Sequence, residues 1–363
     1  MYEFEHSSDG TILAKEALLE PRVVLCSINL EIGFYSMKSL FVCLIVCSFI
    51  SFCACSGPSP NGEKTTEATV DGGGLPESSS EHTTGSQKVA LMSFNIRYGS
   101  ADDGDNHWEK RKTLVFDIIN KKGGDFLGMQ EVLRTQYNEV IKIAPQYKCI
   151  GRERHDTSFA NPDYNEMNPI CYLHKKWELD TKEHGTFWLS ESPEEPGSRS
   201  WKSSLPRICT WARFTSKATG KSLYIFNTHY DHQSGLARLN SSTLVAKRIA
   251  QRKDQEAPAF LMGDFNDGED SDTIKYLKGE EVSNKPSPPI SFVDTFRVVH
   301  PNAGKAGTNN YWIGLKIGPK IDYIFSMPDR SFEVRVLSAA IVHDHVNGRF
   351  PSDHFPVVAT IEF

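Results

Sequence analysis

From residue 88 onward, short apolar runs alternate with segments whose apolar residues recur at helical spacing. Residues 89–97 (Val-Ala-Leu-Met-Ser-Phe-Asn-Ile-Arg) read as a strand with Asn95 near its end. Residues 125–132 read as a second, ending at Gln130-Glu131-Val132. Between them Leu114, Val115, Ile118 and Ile119 fall on one helical face, which predicts a helix over 109–122. Strand, helix and strand at this spacing suggest a βαβ-like unit. Further strands are predicted at 166–172, 207–214, 222–229, 259–262, 320–325 and 332–342, with a last one starting at Asp353-His354. Thr219-Gly220 between two of them is a hairpin signal. Helices are predicted at 236–253 and 272–277. Residues 187–190 are a short apolar stretch, followed by a Ser-, Pro- and Glu-rich loop at 191–206.

The first quarter of the chain has a different pattern. Residues 37–55 open on Met37-Lys38, continue as an uncharged run of 16 residues from Ser39 to Ala54, and end on Cys55. A basic start, an apolar middle and a small residue before a cysteine predict a secretory signal with Cys55 as the lipidated residue, although Phe52 and Cys53 are unusual there. The run is shorter than the roughly 20 residues of a spanning helix. Residues 1–36 carry six acidic and two basic side chains, the wrong charge for an export leader, so synthesis is expected to start at Met37. Residues 56–87 contain no aromatic residue and read as a flexible tether to a domain at 88–363. These features predict an exported, lipid-anchored, monomeric protein on a bacterial membrane.

Composition changes this picture little. Residues 87–363 hold 36 Lys/Arg and 35 Asp/Glu, so no strongly basic groove for nucleic acid is expected. Only Cys149, Cys171 and Cys209 lie in the domain. With no C-x-x-C spacing they are expected to be small buried hydrophobes, neither a disulfide framework nor a zinc site.

The candidate chemistry lies where predicted strands begin or end: Asn95, Glu131, His229, Asp264, Asn266, Asp322, Asp353 and His354. Read alone, Gly263-Asp264-Phe-Asn266 fits an Asx-rich turn as well as a cation site, with Gly263 letting the chain turn. Glu131 alone fits a solvated surface residue, and Asp353-His354 fits polarity before a strand. Together, oxygen ligands without cysteine suit Mg²⁺ or Mn²⁺, and histidines titrate near neutrality. Such a set suits phosphate-ester hydrolysis. His343-Asp344-His345 reads as an exposed loop. Trp108, Trp188 and Trp201 are expected to pack rather than to line a pocket.

Asn95, Gln130-Glu131, Thr228-His229, Gly263-Asp264-Phe-Asn266, Ile321-Asp322-Tyr and Ser352-Asp353-His354 resemble, in order, the signature motifs of the endonuclease/exonuclease/phosphatase superfamily. The resemblance spans 89–363. It implies an α/β four-layer sandwich: two packed mixed β-sheets flanked by helices, as in DNase I. It implies Mg²⁺, with Mn²⁺ as a substitute, held by Glu131, Asn95 and Asp353. It implies a catalytic His354 oriented by Asp322, a second histidine in His229 paired with Glu166, and Asp264 with Asn266 positioning water or phosphate. Arg207 is a candidate phosphate contact. Phosphodiester hydrolysis, with nucleic acid among the possible substrates, is the first expectation. A phosphomonoesterase acting on sugar or inositol phosphates is the second, and a catalytically silent binding protein is the third.

Overall fold

The structure is a computed structural model that describes residues 3–6, 12–15, 85–155, 161, 164–328 and 334–363. The expected export segment 37–55 with Cys55, most of 1–36 and most of the tether 56–87 lie outside the described residues. Among the described residues no helix is long and apolar enough to cross a membrane. Chain contacts define two units, Met1–Leu75 and Pro76–Phe363. In the first, β1 (Glu3–His6) pairs antiparallel with β2 (Ile12–Lys15).

The second unit contains β3 (Lys88–Asn95), α1 (Trp108–Lys122), β4 (Phe126–Gln130), α2 (Arg134–Ile143), β5 (Tyr147–Ile150) and β6 (Ile170–Leu173). Then come β7 (Trp177–Trp188), β8 (Ile208–Ser216), β9 (Ser222–His229), α3 (Gly235–Ala250), β10 (Ala259–Asp264) and α4 (Asp272–Lys278). It closes with β11 (Val293–Asp294), α5 (Thr295–Val299), β12 (Asp322–Ser326), β13 (Arg335–Ile341) and β14 (Val357–Glu362). One mixed sheet has the order β11-β12-β10-β9-β8-β7, the other β13-β14-β3-β4-β6-β5.

Period-2 alternation explains why the sheets stack. On β3, Val89 and Leu91 face the partner sheet, while Met92 and Phe94 face α1. On β10, Phe260 and Met262 point between the sheets, while Ala259 and Leu261 point toward α3 and α4. Both faces are covered, which is why these strands read as unbroken apolar runs. The result is the four-layer sandwich implied by the motifs.

Toward one pole the inter-sheet face turns polar. Leu223 and Ile225 lead by twos to Asn227 and His229; Phe260 and Met262 lead to Asp264; Val89 and Leu91 lead to Ser93 and Asn95. Here β3 and β4, and β9 and β10, are parallel pairs ending at this pole, while β12 and β14 run the other way and begin there. A buried polar bridge locks the sheets together just beneath. Gln130 Nε2 donates to Asn227 Oδ1 at 2.7 Å, and Asn227 Nδ2 donates to the carbonyls of Met129 and Pro169, each at 2.8 Å.

Several elements differ from expectation. The segment around Glu166 precedes β6 rather than belonging to it, although Met167 bridges Val132 and Glu153. His354 makes a bridge to Asn309 and β14 starts three residues later. Gly263 does not make a turn. It pairs with Thr228 and Tyr323 inside the sheet, and a Cβ there would meet the Thr228 carbonyl oxygen at 2.1 Å. Glycine is therefore required for close strand approach.

The cysteine expectation is also corrected. Cys149 and Cys171 form a disulfide, because antiparallel pairing of β5 with β6 sets them directly opposite; only Cys209 is a free buried thiol among the described residues. Sequence spacing of 22 residues carried no sign of that register. A Cys149→Ser/Cys171→Ser variant is expected to lose about 3 kcal/mol of stability, from the loop-closure entropy of a bridge this long. Denaturant unfolding of oxidised and variant proteins measures it; a difference under about 0.5 kcal/mol would refute the estimate.

Candidate active site

At the polar pole, register sets Asp264 between His229 and Asp322. Across the gap between the sheets, His354 Nδ1 lies 2.9 Å from Asp322 Oδ2 and 3.8 Å from Asp264 Oδ2. All three are buried. Burial alone would lower the His354 pKa, but the Asp322 and Asp264 carboxylates outweigh it and hold it well above the ordinary value. The ring is thus an imidazolium whose Nδ1–H is spent on Asp322, which leaves Nε2–H to donate. Thr308 Oγ1 accepts from the Asp322 N–H at 3.0 Å and fixes that strand start.

Asp264 has the opposite character. Burial, and then the Asp322 carboxylate, push its pKa up to about 7; His354, the Asn266 N–H and Asn95 only partly offset this. Asp264 Oδ1 accepts from Asn266 N at 2.8 Å and Oδ2 accepts from Asn95 Nδ2 at 3.0 Å. Asn266 sits at φ 51°, a left-handed conformation that asparagine tolerates. That twist turns its Nδ2 to donate to the Tyr230 carbonyl at 3.0 Å and toward His229 Nε2 at 2.9 Å. Since Nδ2 is a donor, His229 Nε2 accepts and the ring proton sits on Nδ1. Burial, then Arg207 and Arg154, hold the His229 pKa well below the ordinary value, so this ring is neutral.

Glu131 follows β4 at φ 59°. Its Oε1 accepts from Asn95 Nδ2 at 3.0 Å and its Oε2 from Tyr98 N at 3.1 Å. Burial raises its pKa, but Arg97, Asn95 and His354 together bring it below the usual carboxylate value. Arg97 stands 3.9 Å from both Glu131 Oε2 and Asp353 Oδ2, while its hydrogen bonds go to Asp103, both at 3.0 Å. Asp353 is raised by burial and by Glu131.

The residues suit a divalent cation. Four carboxylates converge, two of them with raised pKa values, and Asp322 Oδ1 is buried without a hydrogen-bond partner. All the donors are hard oxygens, as Mg²⁺ or Mn²⁺ prefers. Asp264, Asp322 and His354 could supply a ligand atom each, but His354 Nδ1 is already committed to Asp322. Glu131 and Asp353, whose oxygens keep spare lone pairs, are the better holders. Asn95 differs from the ligand role expected of it. Its Oδ1 accepts from Arg97 N at 2.9 Å, and its amide nitrogen bridges Glu131 and Asp264, because crowded carboxylates need donors.

One other expectation changes. Glu166 faces His229 Nδ1 at 4.0 Å, too far for a hydrogen bond, and its Oε2 accepts from Arg154 Nη1 at 2.8 Å. Arg207 lies on the His229 side of the site, donating from Nη2 to His232 Nδ1 at 3.0 Å. In the His343–His345 loop, the flanking histidine rings pack on Phe355 and Phe350, and Asp344 reaches Lys122 at 3.6 Å. Trp108 and Trp188 are buried as expected, while Trp201 is partly exposed.

Sequence reading missed Arg97, Arg154 and above all Arg111. Arg111 lies in the apolar stripe of α1, four and seven residues before Val115 and Ile118. A charge at a core position was the available signal. It donates to the carbonyls of Asn106 (2.8 Å), Ile96 (2.7 Å), Pro351 (2.9 Å) and Arg97 (2.9 Å). Trp108 and Trp312 cover its guanidinium at 5.1 and 5.2 Å. It thus ties the segment after Asn95 to the one before Ser352-Asp353-His354.

Residues 92–354 match the Endonuclease/Exonuclease/phosphatase family. A solved endonuclease/exonuclease/phosphatase from Bacteroides vulgatus is 33% identical, with TM-score 0.66 over 76% of this chain and 99% of its own. A mannosyl-6-phosphatase of Bacteroides thetaiotaomicron is 29% identical, with TM-score 0.65 over 76% of this chain and 100% of its own. An uncharacterised protein of Acanthamoeba polyphaga mimivirus is 22% identical over 265 residues, 70% of this chain and 92% of that protein. With the strand-end motifs assembled on one rim of the two-sheet sandwich, the chain belongs to the endonuclease/exonuclease/phosphatase family.

Proposed function

We propose that this chain is an exported, lipid-tethered phosphomonoesterase that hydrolyses sugar phosphates with the help of Mg²⁺, for which Mn²⁺ substitutes. The observation that carries the chemistry is the opposed pair of a protonated His354 and a carboxylate, Asp264, with pKa near 7, 3.8 Å apart. One group donates where the other accepts. Asp264 takes a proton from the attacking water, and Asn266, held by Tyr230 and His229, orients that water. His354 donates from Nε2 to a phosphate oxygen, with Asp322 fixing its tautomer. When bound at Glu131 and Asp353, the cation supplies charge neutralisation for the phosphate oxygens.

The sugar-phosphate preference is supported by the 29%-identical mannosyl-6-phosphatase and by the near balance of charge over 87–363, which does not favour a polyanion. Export is supported by the 37–55 pattern, with Cys55 as anchor, and by a disulfide suited to an oxidising compartment. Phosphodiester cleavage is the second reading, since the same attack on phosphorus serves it.

A hydrolysis panel tests the proposal: hexose phosphates, inositol phosphates, bis-p-nitrophenyl phosphate, plasmid DNA, RNA and sphingomyelin, each with Mg²⁺, Mn²⁺ or EDTA. Turnover of hexose phosphates that stops in EDTA, and falls about a hundredfold or more in Asp264→Ala, is the expected result. Preferred cleavage of a diester would replace the first reading with the second. Equal rates in EDTA would remove the cation from the mechanism.

The pH profile of kcat/KM follows from the two shifts. Asp264 must be ionised to accept a proton, so activity rises with pH through about 7. His354 must be protonated to donate, so activity falls only above the ordinary histidine range. A profile falling between pH 6 and 7.5 would contradict these roles.

A further inference from the structure

The outer face of strands β7, β8 and β9 carries a feature that the mechanism does not use. Trp211 on β8 stands opposite Gly185 on β7 and Phe226 on β9. Toward β9 its indole belongs to a row of near-parallel rings, 6.1 Å from Phe226 at 15° and 6.4 Å from Tyr224 at 25°. Toward β7 the opposite residue has no side chain. A Cβ on Gly185 would stand 3.4 Å from Trp211 Nε1 and 3.8 Å from Cε2, so the Nε1 edge of the indole leans over a bare strand. Gly185 is outside the left-handed region, so the backbone does not demand glycine there. What glycine leaves is open space beside the indole. Tyr224 and Phe226 are buried, whereas Trp211 is partly exposed.

The indole borders a cavity of about 310 Å³ between β7 and the end of α3, lined also by Glu183, Phe187, Arg248, Gln251 and Lys253. That volume is at the small end for ligand pockets and suits one or two sugar rings. The polar atoms around it are of both kinds, and several are free. The Trp211 N–H and the Gln251 side-chain amide meet no hydrogen-bond partner among the described residues. Glu183 Oε2 accepts from Tyr224 Oη at 3.2 Å, while Oε1 faces Lys253 Nζ at 3.8 Å, beyond hydrogen-bond reach.

The chemistry of the lining selects the ligand. An anion would find little to grip. Arg252 spends its donors on the carbonyls of Ala257, Ile249 and Gln255, and Arg248 lies over the Phe187 ring and pairs with Glu194. Lys253 is balanced by Glu183. A wholly apolar ligand would strip water from the indole N–H, the amide and the carboxylate without replacing it. A pyranose meets both demands. Its C–H face lies against an aromatic ring, and its hydroxyls both donate and accept. The site is separate from the reaction centre. Phe187 and Phe226 belong to the cluster beneath α3 and α4, whereas His229 and Asp264 project between the sheets.

We propose that Trp211, with Gln251 and Glu183, forms a saccharide-binding site on the outer face of the sheet, which takes neutral pyranose units by stacking on the indole. It holds whichever ester the active site hydrolyses.

Isothermal titration calorimetry of the full chain with maltose, cellobiose, lactose and an α-linked mannobiose tests this, with adenosine as a planar control. At least one disaccharide is expected to bind wild type with millimolar affinity, and saturating inorganic phosphate is expected to leave that binding unchanged. Trp211→Ala is expected to weaken it about tenfold or more, and Gln251→Ala about threefold, while turnover of the best ester stays within about twofold of wild type. No binding by any of the four disaccharides overturns the proposal. Binding that phosphate displaces also overturns it, since the sugar then sits at the reaction centre. Affinity kept within about threefold in Trp211→Ala does the same. If that variant does not fold, the exposed Gln251→Ala decides, and unchanged affinity there overturns the site. Adenosine binding more tightly than every disaccharide, and lost in the same variants, overturns the saccharide assignment in favour of a planar base.

Discussion

His354→Ala is expected to lower kcat by about two to four orders of magnitude, the usual worth of the general-acid role proposed for it. It also changes how the remaining activity depends on pH. The imidazolium lies 2.9 Å from Asp322 and 3.8 Å from Asp264, and its charge lowers the Asp264 pKa. Removing it leaves Asp322 as an uncompensated neighbour of Asp264. The Asp264 pKa, already about 7, moves higher, and the acidic limb of the residual activity moves with it toward alkaline pH. Asp322→Asn acts differently. It keeps the volume but no longer holds the charged tautomer of His354, so kcat falls while the Asp264 limb moves to lower pH. Steady-state kinetics from pH 5 to 9 on the two variants separates these effects. A kcat for His354→Ala within tenfold of wild type would remove it from the proton donor's role.

Arg111→Met is expected to cost about 4 kcal/mol of stability, although the guanidinium touches no reacting group. Its donors serve four carbonyls, and methionine leaves those buried acceptors unpaired at about 1–3 kcal/mol each, less what water and relaxation recover. For a domain of this size that is a fall of roughly 10 °C in melting temperature. The activity of the folded variant falls as well, because the tie between Ile96-Arg97 and Pro351 is lost. Thermal unfolding together with activity well below the new midpoint distinguishes the two losses. A midpoint within about 2 °C of wild type would show that the carbonyls find other donors.

Where the sequence was readable, and where it was not, follows from burial. Strands covered on both faces must be apolar at every step, so 259–262 and the middle of β4 stood out. The residues that end those runs stood out for the same reason, since Asp264, Glu131 and Asp322 are polar at points where the apolar rule stops. Strand β7 did not. It is the edge of its sheet, largely polar from Glu178 to Gly185, and its register shifts between Leu179 and His184. The short α2 and β5 gave too few periodic positions to register as elements. The disulfide depended on which strands pair, which no spacing within one strand reveals. The motifs pointed to His354 and Asp322, which lie 2.9 Å apart, but could not show that Asn95 presents its nitrogen, because that depends on how many carboxylates surround it.

The Gln130–Asn227 bridge beneath the pole has an evolutionary consequence. His229, Asp264 and Asp322 hang from one sheet, whereas Asn95, Glu131 and Asp353 belong to the other. A slip of one sheet over the other would separate them even if every side chain were retained. A directional, fully buried amide pair resists such sliding in a way that apolar contacts, which tolerate small shifts, do not. Its position below the rim separates the spacing of the reacting groups from the loops above. The 198–207 and 311–317 segments can then diversify without resetting the distances on which hydrolysis depends. A scaffold whose alignment is fixed in its interior can acquire new substrates by changing its edges.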